Sequence, residues 1–269
     1  MTKSDNPSRR IILSRKGFDS SAGGKPSVVY KNRLYSFPIP EAESNVNYRD
    51  LQFIPGTSYM DLFHDLGIKM FTEAHLDPDI RSEIFLNKPR PKDWRGVFGQ
   101  DDTAQGHLCE EGVTVGDIFL FFGWFKHLDY SKKHGFSYRR EESRPDGFHA
   151  IWGVLEVGEK YNVETEFNKI PHWAKQHAHA MDKQRDRKFY SDKSTLYIAS
   201  EKSSFGLNKT FGTFSFNKDL ILSAGKNRSV WNLPDAFKGC KMSYHPKKII
   251  KILYCPRKKI GEAEAAPFL

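Results

Sequence analysis

Residues 112–125 read GVTVGDIFLFFGWF and residues 148–159 read FHAIWGVLEVGE, and these two stretches decide the fold. Phe119, Leu120, Phe121 and Phe122 form one apolar run. Residues 150–155, with Val157, form another. Both are rich in β-branched and aromatic residues and too short for well-packed helices, so they predict two buried strands. Val115, Gly116 and Asp117 make a tight turn into the first. Val157, Gly158 and Glu159 make a turn out of the second. The insert at residues 126–149 holds six Lys or Arg and reads as a surface flap long enough to carry function.

Working outward, residues 11–13 are a further buried strand. Residues 28–30 and 34–39 suit a hairpin across Lys31, Asn32 and Arg33. Residues 60–66 place Leu62, Phe63 and Leu66 on one face of a short helix. Residues 195–199, 212–216, 220–222 and 248–254 read as later strands. The predicted class is therefore α+β: a mixed, mostly antiparallel sheet, or a barrel, with short peripheral helices. A GD turn entering an apolar strand beside a G-x-x-x-V strand resembles the PUA-like barrels of EVE and ASCH modules. That likeness implies an aromatic cleft able to hold an extruded base, with Trp124 and Trp152 near the hairpin. Stacking on such rings contributes about 1–3 kcal/mol per base. No repeat or long linker divides the chain. One domain is expected over residues 11–260, with a disordered tail at 1–10 and a second tail at 261–269.

Hydrophobic residues make up 38% of the 269, enough for a core, and aromatics 14%. No run of about 18 apolar residues is present, so no membrane span is expected. The N-terminal residues lack an apolar signal core. Cys109, Cys240 and Cys255 form no CxxC pair, which fits a cytoplasmic protein without a disulfide framework. The net charge of +9 gathers at residues 126–144, 183–193 and 238–259, the last with eight Lys or Arg. Such an excess attracts polyanions, of which nucleic acid is the simplest.

Three turns concentrate chemistry. Residues 14–27 follow a strand end and combine Arg15, Lys16, Asp19, Ser20, Ser21 and Gly24. Gly-rich backbone can aim N–H groups at an anion, and Arg15 can fork onto phosphate. The Walker loop and the dinucleotide fingerprint are both absent. Residues 73–79 bring His75, Asp77 and Asp79 together. Three ligands so close in sequence rarely face one ion, so a His–carboxylate acid/base pair is preferred and no metal is expected. Asp79 as the cap of a helix from Ile80 is the structural alternative. Gln100 and Gln105 carry amides able to read a base edge, and Gln105 and His107 fall near the start of a helix capped by Thr103. His172, His177 and His179 have no nearby carboxylate or cysteine to complete a zinc pattern. The candidate catalytic residues are thus Asp19, His75 and Asp77. The candidate nucleotide-binding residues are Arg15, Lys16, Ser20, Ser21, Gly24, Gln100, Gln105, His107, Trp124 and Trp152.

Taken in order, ILSRKGFDSSAGGKPS, SFPIPE, AHLDPDI, FGQDDTAQGHL, GVTVGDIFLFFGWF, HAIWGVLEVGE, HAHA and SVWNLPDAF resemble the nucleotide modification associated domain 3 family over nearly the whole chain. The ending IGEAEAAPFL departs from the Gly-Gln-Glu-Phe type expected there. The resemblance implies a setting in DNA base modification rather than a reaction. Three functions follow: binding a nucleotide or a modified base in a polar-aromatic pocket, group (glycosyl-like) transfer to a base, or a structural part in a phage-defence or modification complex. The expected partners are DNA or a nucleotide, with other DNA-modification proteins; no cofactor is singled out.

Overall fold

The structure is a computed structural model. It describes residues 10–69, 71–184, 191–204, 209–233, 241–244 and 252–254; of residue 184 and the last two segments only the backbone is described. Of the expected tails at 1–10 and 261–269, residues 1–9 and 261–269 lie outside the described residues, as do Cys240, Cys255 and the side chains of the basic run at 238–259. Arg10 is described and donates its backbone N–H to Asp117.

In chain order, β1 (Ile11–Arg15) leads through a loop to the hairpin β2 (Ser27–Tyr30) and β3 (Arg33–Tyr35). Short pieces follow: β4 (Ile39–Pro40), β5 (Gln52–Ile54), β6 (Thr57–Ser58), helix α1 (Tyr59–Asp65) and β7 (Ala74–His75). Then come β8 (Val97–Gln100), α2 (Asp102–Glu110), β9 (Ile118–Ser131), β10 (Gly135–Tyr138) and β11 (Phe148–Asn162). The last elements are α3 (Val163–Glu166), α4 (Ala178–Gln184), β12 (Thr195–Ala199), β13 (Phe211–Thr213), β14 (Lys241–Tyr244) and β15 (Ile252–Tyr254).

The main sheet runs β14-β15-β1-β9-β11-β12-β8. β1 and β2 lie parallel to β9, and the other pairings are antiparallel. This is the α+β, mostly antiparallel sheet expected. The order does not return on itself among the described residues, so the sheet is an open, curled one. β9 is its organiser because both faces are covered. Phe119, Phe121, Phe122 and Phe125 are fully buried, each contributing about 1.5–3 kcal/mol. A strand covered on both faces reads as a continuous apolar run rather than an alternation. Phe98 of β8 meets Phe119 and Phe121 with ring centroids 4.7 and 5.2 Å apart. Since β8 is three strands from β9 in the order, that contact needs the sheet to curl.

The flap expected at residues 126–149 is for the most part more sheet. β9 runs on to Ser131 and β10 folds back on it, burying Leu128 and Phe136. The GD turn is structural: the Asp117 carboxylate accepts from the backbone N–H groups of Arg10 (2.9 Å) and Thr114 (3.0 Å) and pairs with the Arg10 guanidinium. No helix starts at Ile80. Instead Asp79 and Val97 exchange two 2.8 Å backbone hydrogen bonds, which clip the 77–79 turn onto the edge of β8. An extra pairing of this kind covers an edge that would otherwise present unpaired groups.

A second core gathers around α1, where Phe18, Phe37, Tyr48, Phe53, Tyr59 and Phe63 are buried. The capping box of Ser58 and Asp61 starts that helix. Phe18 is the link that matters for function. Its ring meets Phe37 at 5.4 Å and Phe63 at 5.6 Å, which anchors the 16–26 loop in this second core. Gly123 allows the approach: a Cβ there would sit 2.9 Å from the Lys16 carbonyl oxygen, so the loop can cross β9 only over glycine.

Candidate functional site

Where the cores meet, one hollow of about 390 Å³ is lined by Arg15, Lys16, Asp19, Glu41, His75, Asp77, Gln100, Asp101 and His179. Five remote segments supply these groups. Lys16 ends β1. Its ammonium lies 4.5 Å above the Phe98 ring and 2.6 Å from Asp77 Oδ2. The other oxygen of Asp77 accepts the Gly99 N–H at 2.7 Å, so β8 and β1 both hold this carboxylate. Its side chain is 1% exposed. Burial pulls the Asp77 pKa up, but Lys16 and the neighbouring His177 and His179 outweigh it and hold the carboxyl well below its usual range.

His75 reaches the hollow because β7 pairs with β4, with Ile39 opposite His75. Glu41, one residue past β4, then sits with Oε2 3.1 Å from His75 Nδ1. On the other side His75 Nε2 is 3.3 Å from His179 Nε2. Burial disfavours the imidazolium of His75, yet the hydrogen bond to Glu41 and the charges of Asp77 and Glu41 raise its pKa overall. His179 goes the opposite way. Burial first, then the neighbouring His75, keep its pKa well below the usual value. The arrangement is therefore a graded pair, one imidazole disposed to carry a proton and its neighbour disposed to stay neutral.

His179 enters from the start of α4, with its ring lying on Gly99 where any side chain would collide. Its Nδ1 is 3.7 Å from Asp101 Oδ2 and has no hydrogen-bond partner among the described residues. Burial, then the adjacent Asp102, raise the Asp101 pKa. His177 stacks on His179 with rings 5.8 Å apart, and its Nε2 stands 3.4 Å from Asp77 Oδ1, too long for a good hydrogen bond.

Of the residues singled out in the sequence, Arg15, Lys16, Asp19, His75, Asp77 and Gln100 line this hollow. The 15–24 loop is folded on itself: Asp19 accepts from the backbone N–H groups of Ser21 and Ala22 and from the Ser21 hydroxyl, and pairs with Arg15 at 2.5 Å. The anion that those loop N–H groups hold is thus Asp19's own carboxylate. Burial raises and these contacts lower its pKa, and the contacts prevail. Ser20, Ser21 and Gly24 are not among the lining residues. Ser20 instead accepts from Arg228, whose guanidinium lies 4.0 Å over the Trp124 ring. Trp124 also donates to the Asp146 carbonyl. Trp152 is buried in the core and borders a small void under the 77–79 turn. Gln105 is fully buried and accepts from the Tyr197 hydroxyl at 3.1 Å. His107 lies further along α2, beside Glu110 and Glu111. Among the described residues, no Trp, Tyr or Phe lines the hollow. An aromatic cleft of about 470 Å³ lies instead beyond His177, with Phe85, Trp94, Trp173 and Arg90 in its walls.

The family model of nucleotide modification associated domain 3 matches residues 10–258. The chain belongs to that family. No curated protein and no solved structure matches it. Within this nucleotide modification associated domain, sequence reasoning passed over Glu41 and Asp101 and left His179 as an ordinary polar histidine. Glu41 closes the quoted SFPIPE stretch, and its signal was a pairing of β4 with β7 that two-residue strands do not announce. Asp101 stands next to Gln100 in FGQDD, in plain view.

Proposed function

We propose that this nucleotide modification associated protein binds a nucleotide, free or as a base of nucleic acid, in the hollow between β1, β7, β8 and α4. His75 and Asp77 face the reacting atoms, Gln100 reads a base edge, and Arg15 and Lys16 meet phosphate at the rim. The observation that carries the reading is the convergence of His75, Asp77, His179 and Lys16 in one hollow. Buried titratable groups pushed in opposite directions, inside a concavity, are the usual mark of a site that moves protons. This favours an enzyme of base modification, such as a group transferase, over a passive reader. The remaining possibility, a structural subunit, predicts a broad apolar face. The large apolar side chains exposed among the described residues are Val115, Tyr130 and Val230, from three separate places in the chain.

Calorimetric titration with nucleoside mono- and triphosphates and a short single-stranded oligonucleotide tests the reading. Saturable binding is expected, weakened about tenfold, or about 1.4 kcal/mol, by Gln100→Ala or Arg15→Ala. If no nucleotide or oligonucleotide binds, or if both variants bind as the parent does, the assignment is wrong. Mass spectrometry of nucleosides from DNA incubated with cell extract and the purified protein tests turnover, with Asp77→Asn as the inactive comparison.

A further inference from the structure

We infer that His75, Asp77 and His179 form a binding site for one divalent transition-metal ion. One atom of each, the two imidazole nitrogens and a carboxylate oxygen, lies within 4.8 Å of the others. The tighter evidence is the pair of histidines. Their Nε2 atoms stand 3.3 Å apart and face one another. Two nitrogens each about 2.0–2.1 Å from a tetrahedral zinc ion lie about 3.3 Å from one another. Asp77 Oδ2 is 3.9 Å from His179 Nε2, and a displacement on the order of 1 Å brings it to the ligand position.

The outer partners fit the same reading. A metal-bound histidine almost always gives its other ring N–H to a carboxylate or carbonyl, which fixes the tautomer. Glu41 takes that position on His75 Nδ1 at 3.1 Å, and Asp101 faces His179 Nδ1 at 3.7 Å. Both Nε2 atoms are then left to ligate. The Gly99 N–H holds Asp77 Oδ1 and leaves Oδ2 toward the histidines. Lys16 shares Oδ2, and a carboxylate oxygen has lone pairs for both. Two histidines and one carboxylate leave coordination positions open toward the hollow, the arrangement of a catalytic rather than a structural metal.

Charge points the same way. Among the described residues the hollow is lined by four carboxylates, Asp19, Glu41, Asp77 and Asp101, against two full cations, Arg15 and Lys16. A divalent cation balances that excess. The inference does not depend on nucleotide binding, since an ion titration needs no nucleotide.

The test uses the full chain, stripped with chelator and titrated with Co²⁺, and follows the visible absorption that Co²⁺ gains on nitrogen ligation. One Co²⁺ per chain is expected, displaced by Zn²⁺. His179→Gln should abolish the bands. Glu41→Gln, which touches no ligating atom, should weaken binding about 10–100-fold. Lys16→Met should bind at least as tightly as the parent, because it removes a like charge beside the ion. His172→Gln, at the aromatic cleft, should change nothing. Melting temperatures in chelator establish that each variant is folded, and should His179→Gln fail, Glu41→Gln decides. Absence of saturable binding, or binding unchanged in both His179→Gln and Glu41→Gln, overturns the inference.

Discussion

Replacing Asp77 by Asn tests whether the Lys16–Asp77 pair is what joins β1 to the 77–79 turn. The pair is 2.6 Å long, with side chains 15% and 1% exposed. Removing one partner of a buried pair costs about 3–5 kcal/mol, most of it from the charge left behind. Two features reduce that figure. Asn keeps an acceptor for the Gly99 N–H, and the Lys16 ammonium can turn toward water in the hollow. An expected loss of about 2–3 kcal/mol follows. For a chain of this size that lowers the melting temperature by about 4–12 °C. Thermal unfolding followed by circular dichroism, in chelator so that no ion contributes, measures it. A double-mutant cycle with Lys16→Met separates the pair from the rest. The double variant should be no less stable than Asp77→Asn, because the stranded charge is gone, and the coupling should be about 1–3 kcal/mol. If Asp77→Asn melts with the parent, or if the two changes simply add, the pair does not hold the site together.

Three further outcomes are expected. Burial, then Arg15 and Arg228, push His149 down to about 4. The folded state therefore binds fewer protons than the unfolded one between that value and the ordinary 6.5, so stability present above pH 6.5 falls by up to about 3 kcal/mol as pH drops to 4; His149→Gln should flatten that part of the melting-temperature profile. Protonation would also set an N–H against the Trp231 Nε1–H, which donates to His149 Nδ1 at 3.0 Å. Gly99→Ala should destabilise by about 1–3 kcal/mol and drive His179 off β8, read as a changed His179 imidazole resonance in NMR spectra; an unchanged resonance would mean the ring does not rest on Gly99. Asp117→Ala removes the acceptor of two backbone N–H groups and the Arg10 partner, and should cost about 2–4 kcal/mol by urea unfolding, whereas a cost within error of zero would show the GD turn to be held by its backbone alone.

The sheet could be read from the chain because its organising strands are long and covered on both faces. An apolar run such as residues 118–122 has few alternatives. The hairpin was legible at its turn, where Lys31 and Asn32 take the positive φ of a two-residue connection, but its second strand stops at Tyr35 and Ile39 pairs with β7 instead. Pairings between two-residue pieces were not legible. Nothing local says that Ile39 lies opposite His75, and so nothing local says that Glu41 holds that histidine. The same limit explains the histidines. No carboxylate near His177 and His179 in sequence completes a zinc pattern; in space Asp77 stands beside both and Asp101 beside His179, about a hundred and about eighty positions earlier. The two tryptophans beside the hairpin drew attention by proximity in sequence, yet strand alternation sends Trp152 into the core and leaves Trp124 under Arg228.

The charge of the hollow decides how a phosphate could enter it. Lys16 is already paired with Asp77 and Arg15 with Asp19. A nucleotide phosphate must therefore either break one of these pairs or arrive with positive charge of its own. A divalent ion on His75, Asp77 and His179 supplies that charge while leaving Arg15 on Asp19, and its open positions face the space the phosphate would fill. The two proposals thus constrain each other. If both hold, nucleotide affinity rises when Mn²⁺ or Zn²⁺ is present and the rise vanishes in His179→Gln, a coupling that must appear equally in the ion's affinity measured with nucleotide. If nucleotide binds equally well in chelator, the phosphate has found Arg15 or Lys16 by displacing a carboxylate, and Asp19→Asn should then tighten binding rather than weaken it.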